Sequence, residues 1–199
     1  MHISLTKRFL LLTITLLVPT SVGVRAQGDP HADETARANA LTKSGNQKVR
    51  DGDYDGAIKD FNEVIKIDEI FPANVQSASY VSRGLAYFKK GDSDKALADL
   101  NKAISFQSDN FFAYQNRASV YEKMNESAKA IADYSKAIKL NPKFAFVYRG
   151  RGLLLLKLGK DAEAEADFAK YRELFPSAKE SLEKDIQKVK DERVQKPPE

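Results

Sequence analysis

Few residues in this chain could carry chemistry. The 199 residues include no cysteine, no tryptophan and two histidines, His2 and His31. Without cysteine there is no disulfide, thiolate nucleophile, iron–sulfur centre or Cys-based zinc site. His31 alone can build neither a His–carboxylate metal cluster nor a Ser–His–Asp triad with a well-held base. No GxxxxGK[ST] or GxGxxG stretch is present to cradle a phosphate. Glu163, Glu165 and Glu180 lie among lysines at helical spacing. That is the pattern of a solvated helix face, not of an acid–base pair. No catalytic residue, metal site or cofactor is assigned, and the chain is not expected to be an enzyme.

What remains is charge and where it lies. The chain has 32 basic and 28 acidic side chains, a net of +4. Lys7 and Arg8 precede an apolar run from Phe9 to Val18, Pro19 ends it, and Val24-Arg25-Ala26 offers small residues for cleavage. Residues 1–26 therefore read as a secretory signal peptide. A ten-residue run is too short to cross about 30 Å of hydrocarbon as a helix. Removing this segment leaves 29 basic and 28 acidic residues. The mature chain is nearly neutral, so nucleic acid is not an expected partner, nor is stable membrane insertion after cleavage. The expected location is exported, either periplasmic or secreted.

The elements that position the remaining side chains are repeats. Gly84, Ala118 and Gly152 are 34 residues apart, as are Tyr87, Tyr121 and Leu155. Ala96, Ala130 and Ala164 keep the same spacing, as do Leu100, Tyr134 and Phe168. An earlier unit at Gly45, Ala57 and Phe61 is offset by 39, so the phase slips by five residues around Phe71 to Gln76. Each unit reads as two amphipathic helices. Gly52, Gly91, Asn125 and Gly159 separate them, and these residues tolerate a left-handed helix stop. A helix pair this short cannot bury its apolar face alone, so neighbours must stack.

The small, aromatic, alanine and proline positions of this 34-residue unit resemble the tetratricopeptide repeat (TPR) family. The matches are densest at Tyr114, Ala118, Tyr121, Ala130, Tyr134, Ala137 and Pro142. The resemblance implies an all-α, right-handed solenoid of helix-turn-helix repeats that acts as a protein-binding scaffold. The units are 38–71, 77–110, 111–144 and 145–178, with a short insertion at 72–76. Residues 27–37 form an N-terminal extension, with Asp29-Pro30 near the start of the first helix. Residues 179–199 form a capping helix, with Leu182, Ile186 and Val189 on one stripe, followed by a disordered tail.

Asp60, Asp99, Asp133 and Asp167 precede the core residue of each second helix. Arg83, Arg117 and Arg151 precede the small residue of each first helix, and Ser44 stands there in the first unit. The favoured expectation pairs each arginine with the aspartate one repeat earlier: Asp60–Arg83, Asp99–Arg117 and Asp133–Arg151. Pairing within a repeat, or no pairing, is the alternative. Inter-repeat pairs of this kind are expected to be structural and not a ligand site.

The resemblance also implies a concave groove lined by the first helix of each repeat. Its positions here are Asn39, Thr42, Lys43, Asn46, Val49 and Arg50, then Ala78, Val81, Ser82, Leu85, Phe88 and Lys89. They continue with Phe112, Gln115, Asn116, Ser119, Glu122 and Lys123, then Phe146, Arg149, Gly150, Leu153, Leu156 and Lys157. The residues singled out for peptide binding are Lys43, Asn46, Arg50, Leu85, Phe88, Lys89, Phe112, Gln115, Asn116, Lys123, Phe146, Arg149, Leu153 and Lys157. Across the groove positions six side chains are basic and one, Glu122, is acidic. An apolar floor with basic points suits a peptide carrying hydrophobic and acidic residues. Chaperone-binding relatives clamp a C-terminal carboxylate with lysine, asparagine and arginine. In either possible register only one position fits, Asn46 or Asn116, so that clamp is absent. The expected function is an exported, non-catalytic adaptor for a protein or peptide partner, with self-association left open. The alternative is an envelope-assembly or enzyme-accessory factor held at the membrane by an uncleaved N-terminal segment.

Overall fold

The structure, a computed structural model, describes residues 31–68 and 71–195. The expected signal segment, the Asp29-Pro30 helix start and the C-terminal Pro197-Pro198-Glu199 lie outside these residues. Among the described residues the chain is all helical. The helices come in pairs: α1 (Ala32–Asp51) with α2 (Tyr54–Asp68), and α3 (Ala73–Lys90) with α4 (Ser93–Phe106). Then follow α5 (Phe111–Lys123) with α6 (Ser127–Leu140), and α7 (Ala145–Lys157) with α8 (Asp161–Leu174). A 3-10 turn at Pro176–Ala178 leads into α9 (Lys179–Gln195).

The turn inside each pair is built the same way four times. Gly52, Gly91, Asn125 and Gly159 take φ values of 83°, 99°, 60° and 79°. That left-handed residue lets the next N–H turn back on the finished helix. Asp53, Asp92, Glu126 and Lys160 donate to the carbonyls of Lys48, Tyr87, Tyr121 and Leu155 at 2.9, 2.9, 2.9 and 3.0 Å. Asn125 adopts the conformation despite its Cβ, as asparagine does more readily than other non-glycine residues.

Small residues set how close the helices come. Gly152 faces Phe168, and a Cβ there would lie 2.6 Å from the Phe168 ring. Gly45 meets Phe61 in the same way, at 2.8 Å. Ala96, Ala130 and Ala164 are fully buried on the second helices. Leu100, Tyr134 and Phe168 fill the space these small residues leave.

The five-residue phase slip is absorbed in helix, not in loop. α3 has 18 residues where α5 and α7 have 13. It opens at Ala73, ahead of Ser77, the counterpart of Phe111 and Ala145. Pro72 precedes it, where no backbone N–H is needed. Most of the expected insertion at 72–76 is therefore an extra turn of α3.

At the far end, Leu182 and Ile186 of α9 are buried with Tyr148, Leu155, Leu156 and Tyr171. Val189 packs against the same cluster. Arg149–Asp185, Arg172–Glu183 and Arg193–Asp161 tie α9 to α7 and α8 at 2.6, 2.9 and 2.6 Å. The rest of α9 is mostly charged and faces water. The apolar stripe supplies most of the docking energy, because exposed ion pairs contribute about 0–1 kcal/mol each.

Candidate functional site

The recurring arginines pair inside their own repeats. Arg83 donates through Nε and Nη2 to both carboxylate oxygens of Asp99, at 2.8 and 2.7 Å. Arg117 does so to Asp133 at 2.7 and 2.8 Å, and Arg151 to Asp167 at 2.8 and 2.7 Å. The expected Asp60–Arg83, Asp99–Arg117 and Asp133–Arg151 pairs are corrected accordingly. The reason is the hairpin: the second helix folds back and brings the aspartate 16 residues later opposite the arginine. The link to the preceding repeat exists but is made to a neutral acceptor. Each Nη1 reaches back to Asn62 Oδ1, Asn101 Oδ1 or Ser135 Oγ, at 2.7, 2.6 and 2.8 Å.

Asp60 faces Ser44 where the later repeats carry their pairing arginine, and takes Lys48 instead, at 2.7 Å. Burial opposes its ionisation, but hydrogen bonds from Lys48 and Ser44 outweigh that and hold its carboxyl below the usual range. Lys48, which stands where the later repeats carry Tyr87, Tyr121 and Leu155, thus has a structural partner. All these groups have their partners within the fold, which fits a structural role.

The groove positions divide three ways. Lys43, Asn46 and Arg50 are exposed on α1, and Arg50 bonds to Gln47 at 2.6 Å. Asn39 and Thr42 instead line a cavity of about 270 Å³ with Phe61, Val75, Ala78 and Ser82, between α1 and α3. Leu85 and Phe88 on α3 are half-buried, and Lys89 is exposed. The larger openings lie along α5 and α7. One of about 390 Å³ is lined by Gln115, Ser119, Glu122, Tyr134, Phe144, Phe146, Arg149, Gly150 and Leu153. A neighbour of about 400 Å³ is lined by Phe88, Ser119, Glu122, Lys123, Asn125 and Lys157. The two share Ser119 and Glu122, so they form one trough running from an aromatic end to a lysine end.

At the aromatic end Phe112 and Phe146 are 46% and 48% exposed, which makes them the most open large apolar side chains on the first helices. Their rings join a continuous run, Phe112–Phe144–Phe146–Phe175, with centroids 5.4, 5.8 and 5.5 Å apart. At the lysine end the Lys123 ammonium sits 5.3 Å from the Phe88 ring centroid. In the middle the Tyr134 hydroxyl donates to Glu122 Oε2 at 3.2 Å and lies 3.2 Å from Ser119 Oγ. Burial raises the Glu122 carboxyl above its ordinary range, partly offset by the Tyr134 hydrogen bond. Burial and the Glu122 charge likewise push the Tyr134 hydroxyl up.

Three expected groove residues behave differently. Leu156 is 3% exposed because α9 packs on it. Arg149 lines the trough but is held by Asp185 of α9, at 3.0 and 2.6 Å. Asn116 turns its amide onto the Phe112 carbonyl of its own helix, at 2.8 Å.

A family profile described as "Tetratricopeptide repeat" matches residues 111–144, and another described as "TPR repeat" matches residues 84–125. Tetratricopeptide repeats thus span residues 84–144. The chain resembles a tetratricopeptide repeat protein from Parabacteroides merdae ATCC 43184, with TM-score 0.61 and 24% identity, over 80% of this chain and 62% of that one. It also resembles the first TPR of Spaghetti (RPAP3), solved bound to HSP90 peptide SRMEEVD. There the TM-score is 0.55 and identity 23%, over 62% of this chain and 97% of that one. Sperm-associated antigen 1 of Rattus norvegicus is 38% identical over 71 residues, which is 36% of this chain but 7% of that protein. The match thus spans under a tenth of that curated relative.

The Ser119–Glu122–Tyr134 cluster joins two expected groove positions to a residue that the repeat pattern places in the core. Its signal was present in the register. Repeats 77–110 and 145–178 carry Leu85, Phe88 and Leu100, and Leu153, Leu156 and Phe168, at the same three positions. One repeat replaces an apolar trio with a polar one, and Gly150 leaves room above it. A Cβ on Gly150 would lie 3.0 Å from the Tyr134 ring. No group of three or more His, Cys, Asp or Glu side chains placed to hold a metal occurs among the described residues.

Proposed function

We propose that this TPR protein is an exported adaptor that holds a protein or peptide partner against the face of α3, α5 and α7, without catalysis. The TPR family is a protein-interaction scaffold, and a structural neighbour was solved with a bound peptide. One observation carries the reading to this face: the trough between α5 and α7, with Phe112 and Phe146 open at one end and Lys123 and Lys157 at the other. Exposed aromatic side chains beside a cleft are the usual anchors of an interface. The missing carboxylate clamp points to a partner unlike the chaperone tail.

Phe112→Ala/Phe146→Ala tests this directly. The variant keeps the core, because both rings are about half exposed. A partner recovered by the wild type, then purified, binds the variant at least tenfold more weakly. Equal affinity removes the groove as the binding surface. Export rests on residues 1–26, and N-terminal sequencing of the protein from its host checks it. A start at Gln27 supports cleavage and release, whereas an intact Met1 favours the membrane-held alternative.

A further inference from the structure

The three exposed lysines Lys89, Lys123 and Lys157 recur at intervals of 34 residues. Each is the last or next-to-last residue of its helix, α3, α5 or α7. Phe112 and Phe146 are the second residues of α5 and α7. Short turns make successive helices antiparallel, so α3, α5 and α7 run the same way. The lysines therefore form one row and the aromatic rings another, on opposite edges of the same face. Eleven residues at about 1.5 Å each separate the rows by about 16 Å. Glu122 sits between them.

Resting on the groove reading above, we propose that the partner segment is an amphipathic α-helix lying across α3, α5 and α7, with acidic residues every seventh position. Its apolar face meets Phe112 and Phe146 and its acidic stripe meets the lysine row. The spacing selects the conformation. Packed helices in such an array are about 10 Å apart, so the lysines advance by about that much per repeat. An α-helix rises about 10.5 Å in seven residues, nearly two full turns, and returns to the same face. An extended strand covers that distance in three residues, and residues three apart point to opposite sides. A helix of about 10–12 Å diameter also bridges rows about 16 Å apart through its side chains.

The test uses the purified full chain and a fluorescein-labelled, hydrocarbon-stapled 21-residue helix. The probe carries Glu at every seventh position and Leu and Phe along the adjoining stripe. A second peptide replaces Glu with Gln. A third places Glu at every fifth position, which scatters the charge around the helix. Fluorescence anisotropy in about 50 mM salt reads the affinities. The first peptide is expected to bind about tenfold more tightly than either control, from three rim pairs worth about two- to threefold each. Lys89→Gln/Lys123→Gln/Lys157→Gln removes that advantage and leaves the Gln peptide unchanged. These lysines are exposed helix ends, and any benefit they lend the helix dipole would not discriminate between peptides.

Equal binding of the peptides to the wild type overturns the proposal, as does an advantage that survives the triple variant. In either of those cases, if Phe112→Ala/Phe146→Ala weakens all three peptides, the groove reading stands and only the acidic-helix inference falls. If it weakens none, both fall. No binding of any peptide at about 1 mM counts against the proposal. Lysine-dependent binding to vesicles of phosphatidylglycerol that exceeds the peptide affinity assigns the row to a lipid surface and overturns it too.

Discussion

Replacing Arg117 by methionine tests the internal wiring of the array most sharply. The side chain makes three hydrogen bonds, two to Asp133 and one to Asn101 of the preceding repeat. Asp133 is 7% exposed, so the variant leaves a buried carboxylate without its partner. Orphaning a fully buried ion costs about 3–5 kcal/mol. The Arg117 side chain is 19% exposed, so some water reaches the rim. A loss of about 3 kcal/mol is the working figure. For a chain of this size that lowers Tm by about 6–12 °C. Methionine retains much of the aliphatic stem, which keeps lost packing out of the comparison. The double variant Arg117→Met/Asp133→Leu removes both charges and is expected within about 1 kcal/mol of wild type. Urea unfolding followed by far-UV circular dichroism, fitted with a nearest-neighbour scheme suited to repeat arrays, supplies the numbers. The Arg117/Asp133 double-mutant cycle should show coupling of at least about 2 kcal/mol, and the Arg117/Asp99 cycle less than about 0.5 kcal/mol. Larger coupling to Asp99, or an Arg117→Met cost below about 1 kcal/mol, would refute the within-repeat pairing.

Three other outcomes follow from the same contacts. Gly152→Ala puts a methyl 2.6 Å from the buried Phe168 ring and is expected to cost about 1–3 kcal/mol in urea unfolding. Glu122 has its folded pKa raised by burial, so the folded state binds that proton more tightly than the unfolded one. Its contribution is therefore most favourable at low pH and is lost as pH rises through the raised value. Glu122→Gln should gain on the wild type between pH 4 and pH 8 in urea midpoints, and a constant difference across that range would contradict it. Leu182→Ala empties a fully buried position under α9 and is expected to cost about 2–5 kcal/mol. Hydrogen exchange should then show α9 opening ahead of α7, and uniform protection of α9 would argue against its role as a cap.

Much of the fold was legible because it is periodic and local. The 34-residue spacing of Gly84, Ala118 and Gly152 marks where helices must touch. Gly52, Gly91, Asn125 and Gly159 mark the turns, and each takes the left-handed conformation. The stripe of Leu182, Ile186 and Val189 marks a helix that packs at the end of the array. The candidate site was legible only in outline. The lysine row and Phe112 and Phe146 follow from repeat register and are exposed. The phase slip was visible as a number, but its form was not, since five residues serve equally as loop or helix.

By itself, the sequence determined that this chain stacks short helix pairs and which residue types meet at each interface. Periodicity carries that information, because each repeat samples the same environment. Only the tertiary structure decided which of two aspartates each arginine takes. Asp99 lies 16 residues after Arg83 and 18 before Arg117, so separation along the chain does not discriminate. The fold-back of the second helix does. Tertiary packing also buried Leu156 and engaged Arg149, through α9, a helix that belongs to no repeat. It likewise gathered Ser119, Glu122 and Tyr134, spread over two helices, around one cavity. Such contacts depend on angles and distances between helices, which no periodic pattern encodes.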